Sequence, residues 1–121
     1  MSGASNVLLV EDDHLVLDAT AQTLRDGGCV VRTATSYDEA IGALDDHRDL
    51  TVVVTDIVLE GSRSGLDLIG EARSRNPQVG IILLSGQVRP ASESLPDDAL
   101  FCTKPCAPGA LLRLVQESRD W

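Results

Sequence analysis

Polar and charged side chains stand within three residues of the ends of four short apolar runs of the sequence: Glu11, Asp12, Asp13, Asp56, Ser85 and Lys104. Carboxylates that share one cleft cannot all ionise comfortably unless a cation is present. Oxygen ligands with room for water suit Mg²⁺, while Lys104 and Ser85 suit the oxygens of a phosphoryl group. If the chain brings these residues together, they predict phosphoryl transfer to an aspartate.

The apolar runs that precede these residues predict the strands that position them. The runs are continuous rather than alternating, which is typical of strands buried on both faces of a parallel sheet. They cover residues 7–10, 52–54, 79–84 and 100–102, with a weaker fifth run at 29–31. Ligands of such sheets bind beyond the carboxyl ends of the strands, where the polar residues stand.

Helical segments separate the predicted strands. The first is predicted over residues 14–26, with Gly27 and Gly28 as its stop signal. Its inward face is predicted to hold Val16, Ala19, Thr23 and Leu24. Further helices are indicated by a capping box at residues 36–39, by apolar spacing over 66–72 and by Pro108 near a first turn.

This alternation predicts an α/β fold, a doubly wound five-stranded parallel sheet of the flavodoxin type with strand order 2-1-3-4-5. In that order, strands 1, 3, 4 and 5 are consecutive, so their polar residues converge. Two prolines bracket part of residues 86–96, which predicts a shortened fourth helix there. One domain is predicted over residues 1–121, with its core over about 6–119.

The composition excludes several classes of partner. Nineteen acidic residues against ten Lys and Arg give a net charge of −9, which argues against binding to nucleic acid or to anionic membranes. No basic leader or membrane-length apolar run is present in the sequence, so a cytoplasmic location is expected. Cys29, Cys102 and Cys106 form no CxxC pair and are predicted to be small, buried and reduced.

The residue series at 7–13, 54–56, 84–86 and 103–105 resembles the motifs of bacterial response-regulator receivers, the CheY-like domains. Each motif is weak alone, but the full series in order and at this spacing is highly specific. The resemblance extends over about residues 6–119, and it implies a phosphorylatable signalling switch of a two-component phosphorelay rather than an enzyme that turns over a substrate.

The resemblance implies a role for each matching residue. Asp56 is the expected phosphoacceptor, charged by a sensor histidine kinase or a phosphotransfer protein. Mg²⁺, or Mn²⁺ in its place, is expected on Asp12, Asp56 and the backbone carbonyl of Val58, with Glu11 acting through water.

The resemblance also implies the residues that respond to the phosphoryl group. Lys104 is expected to contact that group, and Ser85 to move toward it on activation. Phe101 matches an aromatic switch whose ring turns inward as Ser85 moves. Asp13 is expected to open the first helix. The switched surface is expected to bind a downstream protein that the sequence does not identify.

The chain departs from the family pattern at several positions. Glu60 stands where the family has Pro, and Gly65 follows Asp56 by nine residues instead of eight. Val58 and Gln87 occupy positions that tune the lifetime of the phosphoryl group. Because an apolar Val58 cannot orient water, slow autodephosphorylation is expected. The shortened fourth helix argues against the usual dimer, so a monomer or weak dimer is expected.

Other classes of protein fit these sequence motifs less well. A phosphatase of the haloacid-dehalogenase type needs a second Asp two residues after the nucleophile, where this chain has Val58. A flavodoxin-like cofactor binder needs a phosphate loop after the first strand, where Glu11, Asp12 and Asp13 would repel phosphate. A pseudo-receiver that is never phosphorylated stays an alternative. A stand-alone receiver and one excised from a hybrid histidine kinase both stay open.

Overall fold

The computed structural model describes residues 5–57, 64–85 and 96–118, and within them five strands and four helices follow one another. The strands are β1 (Asn6–Val10), β2 (Val30–Ala34), β3 (Val52–Asp56), β4 (Gly80–Ser85) and β5 (Leu100–Thr103). The helices are α1 (His14–Asp26), α2 (Tyr37–Asp46), α3 (Gly65–Arg75) and α4 (Pro108–Ser118). In the described ranges, none of these helices has the length and apolarity needed to cross a bilayer.

The five strands form one parallel sheet in the order β2-β1-β3-β4-β5, which confirms the predicted topology. Every residue of β3 and β4 is buried, as their apolar runs predict, and the polar residues that end these strands are buried as well. The register sets Thr55 beside Val10, and Ser85 beside Thr103. The carboxyl ends of β1, β3, β4 and β5 therefore meet at one edge of the sheet.

Helices cover both faces of the sheet and make two separate cores. On one face, α2 and α3 supply Ala40, Leu44, Leu68, Ile69 and Ala72. On the other face, α1 and α4 supply Leu17, Ala21, Leu24, Leu111 and Val115. Phe101 of β5 packs toward the first core and Cys102 toward the second, because neighbouring residues of a strand point to opposite faces.

The predicted inward face of α1 is wrong for most of its residues. The buried residues are Leu17, Thr20, Ala21 and Leu24, whereas Val16 and Ala19 are exposed and Thr23 is half-buried. The true face is rotated by about one residue, or roughly 100° around the helix. Apolar residues occur on several sides of α1, so its periodicity alone did not identify the side that meets the sheet.

Polar side chains cap the amino ends of α1, α2 and α3, and the cap of α2 differs from the prediction. Asp13 caps α1 by accepting hydrogen bonds from the backbone of Leu15 and Val16, at 3.0 and 3.2 Å, which is the position expected for it. The capping box predicted at residues 36–39 forms only in part. Ser36 accepts from the Glu39 amide, but the Glu39 carboxylate accepts from the amide of Thr35.

The predicted state of the cysteines is also wrong. Cys102 and Cys106 are joined by a disulfide across a Cα–Cα distance of 5.8 Å, and Cys29 takes no part in it. All three are half-buried rather than buried. These cysteines are four residues apart rather than in a CxxC motif, and the turn after β5 brings them together.

Several predictions concern residues outside the described ranges. The shortened fourth helix at residues 86–96 lies there except for Pro96. Val58, Glu60 and Gln87 also lie there, so the expected metal-binding carbonyl and the expected effects on phosphoryl lifetime stay predictions.

Candidate functional site

Three carboxylates meet at the edge of the sheet where the strands end. Asp56 is the last residue of β3, and Glu11 and Asp12 directly follow β1. One oxygen from each of the three lies within 4.8 Å of the others. Glu11 and Asp56 are almost fully buried, at 3% and 4% exposure, so their charges are poorly solvated. A buried cluster of this kind requires positive charge nearby.

Lys104 supplies part of that charge from the turn after β5. Its Nζ lies 3.0 Å from Oδ1 of Asp56 and 3.8 Å from Oε1 of Glu11. Its backbone amide donates to the carbonyl of Ser85 at 2.6 Å, which holds the turn against the end of β4. Burial lowers the pKa of Lys104, but its contacts with Asp56 and the charge of Glu11 outweigh this, so the pKa is raised and the side chain is cationic.

The donor set fits a hard divalent cation. All three acidic groups offer oxygen, which is the ligand that Mg²⁺ prefers. Oδ1 of Asp56 is buried and accepts no well-aligned hydrogen bond from the described residues, although Lys104 lies close to it. One lysine against three carboxylates leaves the cluster short of positive charge, so a further electropositive partner would satisfy this oxygen.

The structure brings Glu11, Asp12, Asp56 and Lys104 together, as the sequence predicts. Ser85 ends β4 on the same edge and is buried. Phe101 lies in β5, half-buried against the core on the α2 and α3 face. These positions agree with the expected places of both residues, while their switching roles stay predictions.

The pKa of the Glu11 carboxyl group is raised by its place in this cluster. Burial raises its pKa from 4.5 to about 7; a hydrogen bond from the Asp13 amide at 3.2 Å opposes the rise, and the charge of Asp56 adds to it. Between these two pH values the folded chain therefore binds more protons than the unfolded chain, and folding is favoured by low pH.

In the absence of divalent cations, we expect the free energy of unfolding to fall as pH rises from 4.5 to about 7. The contribution of Glu11 is complete below 4.5 and lost above about 7, and it amounts to about 3 kcal/mol at most. Urea unfolding with a chelator at about pH 5.5 and about pH 8 should show about 2 kcal/mol of this fall, because pH 5.5 is already about one unit above the pKa of 4.5.

The matched variants for this pH effect are Glu11→Gln and Glu39→Gln. Glu11→Gln should remove most of the difference in stability between the two pH values. Glu39 is exposed and its pKa is lowered by hydrogen bonds from Thr35, so it titrates below the tested range. Glu39→Gln should therefore lower stability similarly at both pH values. An unchanged pH difference in Glu11→Gln would contradict the assignment.

An open-sided cavity of about 590 Å³ extends from the carboxylate cluster into the groove between α1 and α4. Leu9, Val16, Ala19, Leu84 and Leu111 are among the residues that form its apolar walls. Leu15 lies at its edge and is 83% exposed. This surface was not predicted, because Val16 and Ala19 were expected in the core and are instead exposed. Their position in the turns of α1 nearest Asp12 was the available signal.

Gly65 is a second feature whose importance becomes clear only in three dimensions. It is the first residue of α3, and its amide donates to the carbonyl of Ile57 at 2.7 Å. A Cβ atom at this position would collide with the backbone carbonyl oxygen of Asp56. Ser64 and Asp67 close a reciprocal capping box around it, although the sequence indicated no such role for Asp67. The helix is therefore fixed directly against the end of β3.

Comparison with known proteins assigns the class that this fold and site define. The model of the response regulator receiver domain matches residues 7–116, so the chain belongs to that family. Members of the family are signalling switches of two-component systems, and they generally bind Mg²⁺ in an acidic pocket. The predicted family and fold are confirmed.

Individual relatives include both kinases and regulators. The chain is 33% identical over 103 residues to the sensor kinase CckA of Brucella abortus, covering 84% of this chain and 11% of that protein. It is 33% identical to the response regulator protein FleR of Pseudomonas aeruginosa, an alignment that covers 93% of this chain and 24% of that protein. The structure of a response regulator receiver protein from Sinorhizobium medicae matches with a TM-score of 0.88 at 24% identity. The match covers 97% of this chain and 95% of that one, which supports the fold.

The chain spans only 11% to 34% of the length of these and other curated relatives. Because the relatives include a sensor kinase as well as regulators, both a stand-alone receiver and one attached to a kinase stay open. The single domain predicted over residues 1–121 stays a prediction.

Proposed function

We propose that the chain accepts a phosphoryl group from a phosphohistidine onto Asp56, in a Mg²⁺-dependent reaction, and thereby switches a surface that binds another protein. The observation that carries this proposal is the Asp56 carboxylate itself. It is buried at the end of β3, 3.0 Å from the ammonium of Lys104, within one cluster with Glu11 and Asp12.

In the proposed reaction, an oxygen of Asp56 attacks phosphorus as the bond from phosphorus to the donor imidazole breaks. The product is an acyl phosphate, and the imidazole leaves. Lys104 is placed to offset the charge on the phosphoryl oxygens, because its Nζ already lies beside Oδ1 of Asp56. The residues act mainly by holding the reacting groups in position and by neutralising charge.

Asp12 and Asp56 would hold the metal directly and Glu11 through water, with the Val58 carbonyl as the ligand implied by the family resemblance. Mn²⁺ is proposed as a substitute for Mg²⁺. When bound, the cation reduces the repulsion among the carboxylates and between them and the incoming phosphoryl group. This fits the buried, cation-poor cluster described above.

We propose that Ser85 and Phe101 transmit the change. Ser85 ends β4 beside Thr103, and its carbonyl accepts a hydrogen bond from the amide of Lys104. A movement of Ser85 would therefore also move the backbone at the start of the turn that carries Lys104. Phe101 lies in β5 against the α2 and α3 core. A movement of Ser85 would alter how the Phe101 ring packs, which would change the adjoining surface. The monomeric or weakly dimeric state and the cytoplasmic location stay predictions.

The test uses acetyl phosphate as a small phosphodonor. With Mg²⁺ present, we expect one phosphoryl group per chain, and borohydride reduction of the acyl phosphate should leave homoserine at position 56. With a chelator we expect no label. A folded chain that binds Mg²⁺ but is never labelled would favour the pseudo-receiver, and continuous release of phosphate over many cycles would favour a phosphatase.

The phosphodonor protein is proposed to cover the exposed edge of the cavity. A donor histidine must reach Asp56, so its protein must lie on the surface around that residue. Leu15 and Val16 are exposed apolar residues in the first turn of α1, directly after the acidic cluster. Burial of such side chains stabilises a protein interface.

We expect Leu15→Glu to slow phosphotransfer from a phosphorylated histidine phosphotransfer protein on the order of tenfold. Labelling by acetyl phosphate should be unchanged, because Leu15 touches no reacting group. Val30→Glu is the matched control, since Val30 is 44% exposed at the amino end of β2, away from the site. Equal effects of both variants on protein phosphotransfer would argue against this surface.

A further inference from the structure

The active-site lysine lies inside a loop that a disulfide closes. Cys102 belongs to β5, and Cys106 stands two residues before α4 begins at Pro108. Their Cα atoms are 5.8 Å apart, a separation that a disulfide readily spans. Lys104 and Pro105 lie between them, so the covalent link encloses the residue that contacts Asp56.

The position of Lys104 depends on this loop. Its amide is held by the Ser85 carbonyl, and its Nζ reaches both Asp56 and Glu11. The side chain is partly exposed, at 42%, so packing alone restrains it little. Cys106 also lines the cavity beside the carboxylates. A change in the bond between Cys102 and Cys106 therefore acts on the turn that carries the ammonium group.

The size of the loop and its exposure favour a local role over general stabilisation. A disulfide that closes a short loop restricts the unfolded chain less than one that closes a long loop. Both cysteines are half-buried, which leaves them within reach of small thiols and disulfides. Where the surroundings are reducing, the disulfides that form in mesophilic proteins are usually transient and are catalytic or redox-sensing.

We propose that Cys102 and Cys106 are a reversible redox pair that sets the rate at which Asp56 accepts a phosphoryl group. The inference rests on the proposed function of Asp56. The disulfide form holds Lys104 beside Asp56 and is the faster acceptor. The dithiol form keeps the hydrogen bond from the Lys104 amide to Ser85 but loosens the rest of the turn, so the Lys104 ammonium spends less time in the position that neutralises the phosphoryl oxygens.

The oxidant is a low-molecular-weight disulfide. One cysteine thiolate attacks a sulfur of that disulfide, and a mixed disulfide forms as the first small thiolate leaves. The second cysteine thiolate then attacks the protein sulfur of the mixed disulfide and releases the second small thiol. Two protein thiols are oxidised, one small disulfide is reduced to two thiols, and the reverse exchange restores the dithiol.

The experiment equilibrates the purified chain in buffers with different ratios of oxidised to reduced glutathione. Alkylation of thiols and mass spectrometry give the fraction of chains with the Cys102–Cys106 disulfide. The rate of Asp56 labelling by acetyl phosphate with Mg²⁺ is measured in the same samples. We expect the rate to fall on the order of tenfold on full reduction, to follow the disulfide fraction, and to recover on reoxidation.

Two variants distinguish redox regulation by the Cys102–Cys106 pair from a purely structural role of the disulfide. Cys29→Ser retains the pair and should respond to glutathione like the wild type. The double variant Cys102→Ser with Cys106→Ser should be slow and insensitive to glutathione, and circular dichroism checks that it is folded. Equal labelling in both redox states, or a pair that never oxidises, would overturn the redox inference and leave the proposed function of Asp56 unaffected. A folded chain that is unlabelled in every state would overturn the proposed function and this inference together.

Discussion

Replacement of Asp56 by Asn is expected to reduce phosphoryl labelling at least about a hundredfold, because the carboxylate oxygen is the proposed nucleophile. Asn has nearly the same shape but lacks the negative charge that attacks phosphorus. The measurement is the initial rate of labelling by acetyl phosphate with Mg²⁺, with wild type and variant at equal concentration. The remaining acids of the cluster, Glu11 and Asp12, are unchanged by the substitution.

Asp13→Asn is the matched control for this variant. Asp13 is an acid on the same rim, but its carboxylate accepts hydrogen bonds from the backbone of Leu15 and Val16 at the start of α1. Because Asn caps a helix about as well as Asp, folding and labelling should both persist. Label retained in Asp56→Asn would show that the acceptor is a different residue, and label lost in a folded Asp13→Asn would show that Asp13 takes part in the reaction.

The sheet and the acidic cluster could be predicted because each depends on a strong, short-range signal. Strands buried on both faces must be largely apolar, and β3 and β4 are apolar up to the polar residues at their carboxyl ends. A polar residue ends each strand or directly follows it, and parallel strands bring these ends to one edge of the sheet. Strand order then placed Asp56, Glu11 and Lys104 together without knowledge of any side-chain conformation.

The helix surfaces could not be predicted in the same way. Leu15, Val16 and Leu17 are consecutive apolar residues, yet Leu15 is 83% exposed and Leu17 only 4%. A helix that has one apolar side toward the sheet and another toward a cavity shows no single hydrophobic face. The choice between the two sides depends on the position of α4, which the sequence of α1 does not contain.

The caps and the disulfide depend on local backbone paths that residue types do not determine. Glu39 and Asp67 occupy equivalent positions after Ser36 and Ser64, but only Asp67 returns to the amide of its own cap. Glu39 reaches one residue further back, to Thr35. The Cys102–Cys106 pair similarly requires the turn that carries Lys104, and spacing alone does not reveal that turn.

Gly65→Ala is expected to destabilise the chain by about 3 kcal/mol, because a side chain there has no space. Besides the collision with the Asp56 carbonyl oxygen, the added Cβ would lie 2.9 Å from the carbonyl carbon of Asp56 and 3.0 Å from Cα of Ile57. These neighbours are backbone atoms at the end of a fully buried strand, so they cannot turn aside as a flexible side chain could.

The matched control is Gly70→Ala in the same helix. Gly70 is exposed, and a Cβ there would meet no atom within 4 Å. Since Ala is the better helix former, Gly70→Ala should raise stability by about 0.5 to 1 kcal/mol. Urea unfolding of both variants gives the two free energies, and labelling by acetyl phosphate should slow only in Gly65→Ala, where the backbone of Asp56 must shift. If Gly65→Ala is as stable as wild type and is labelled as fast, α3 can retreat from β3 without cost, and the close approach of this helix is not what positions the phosphoacceptor.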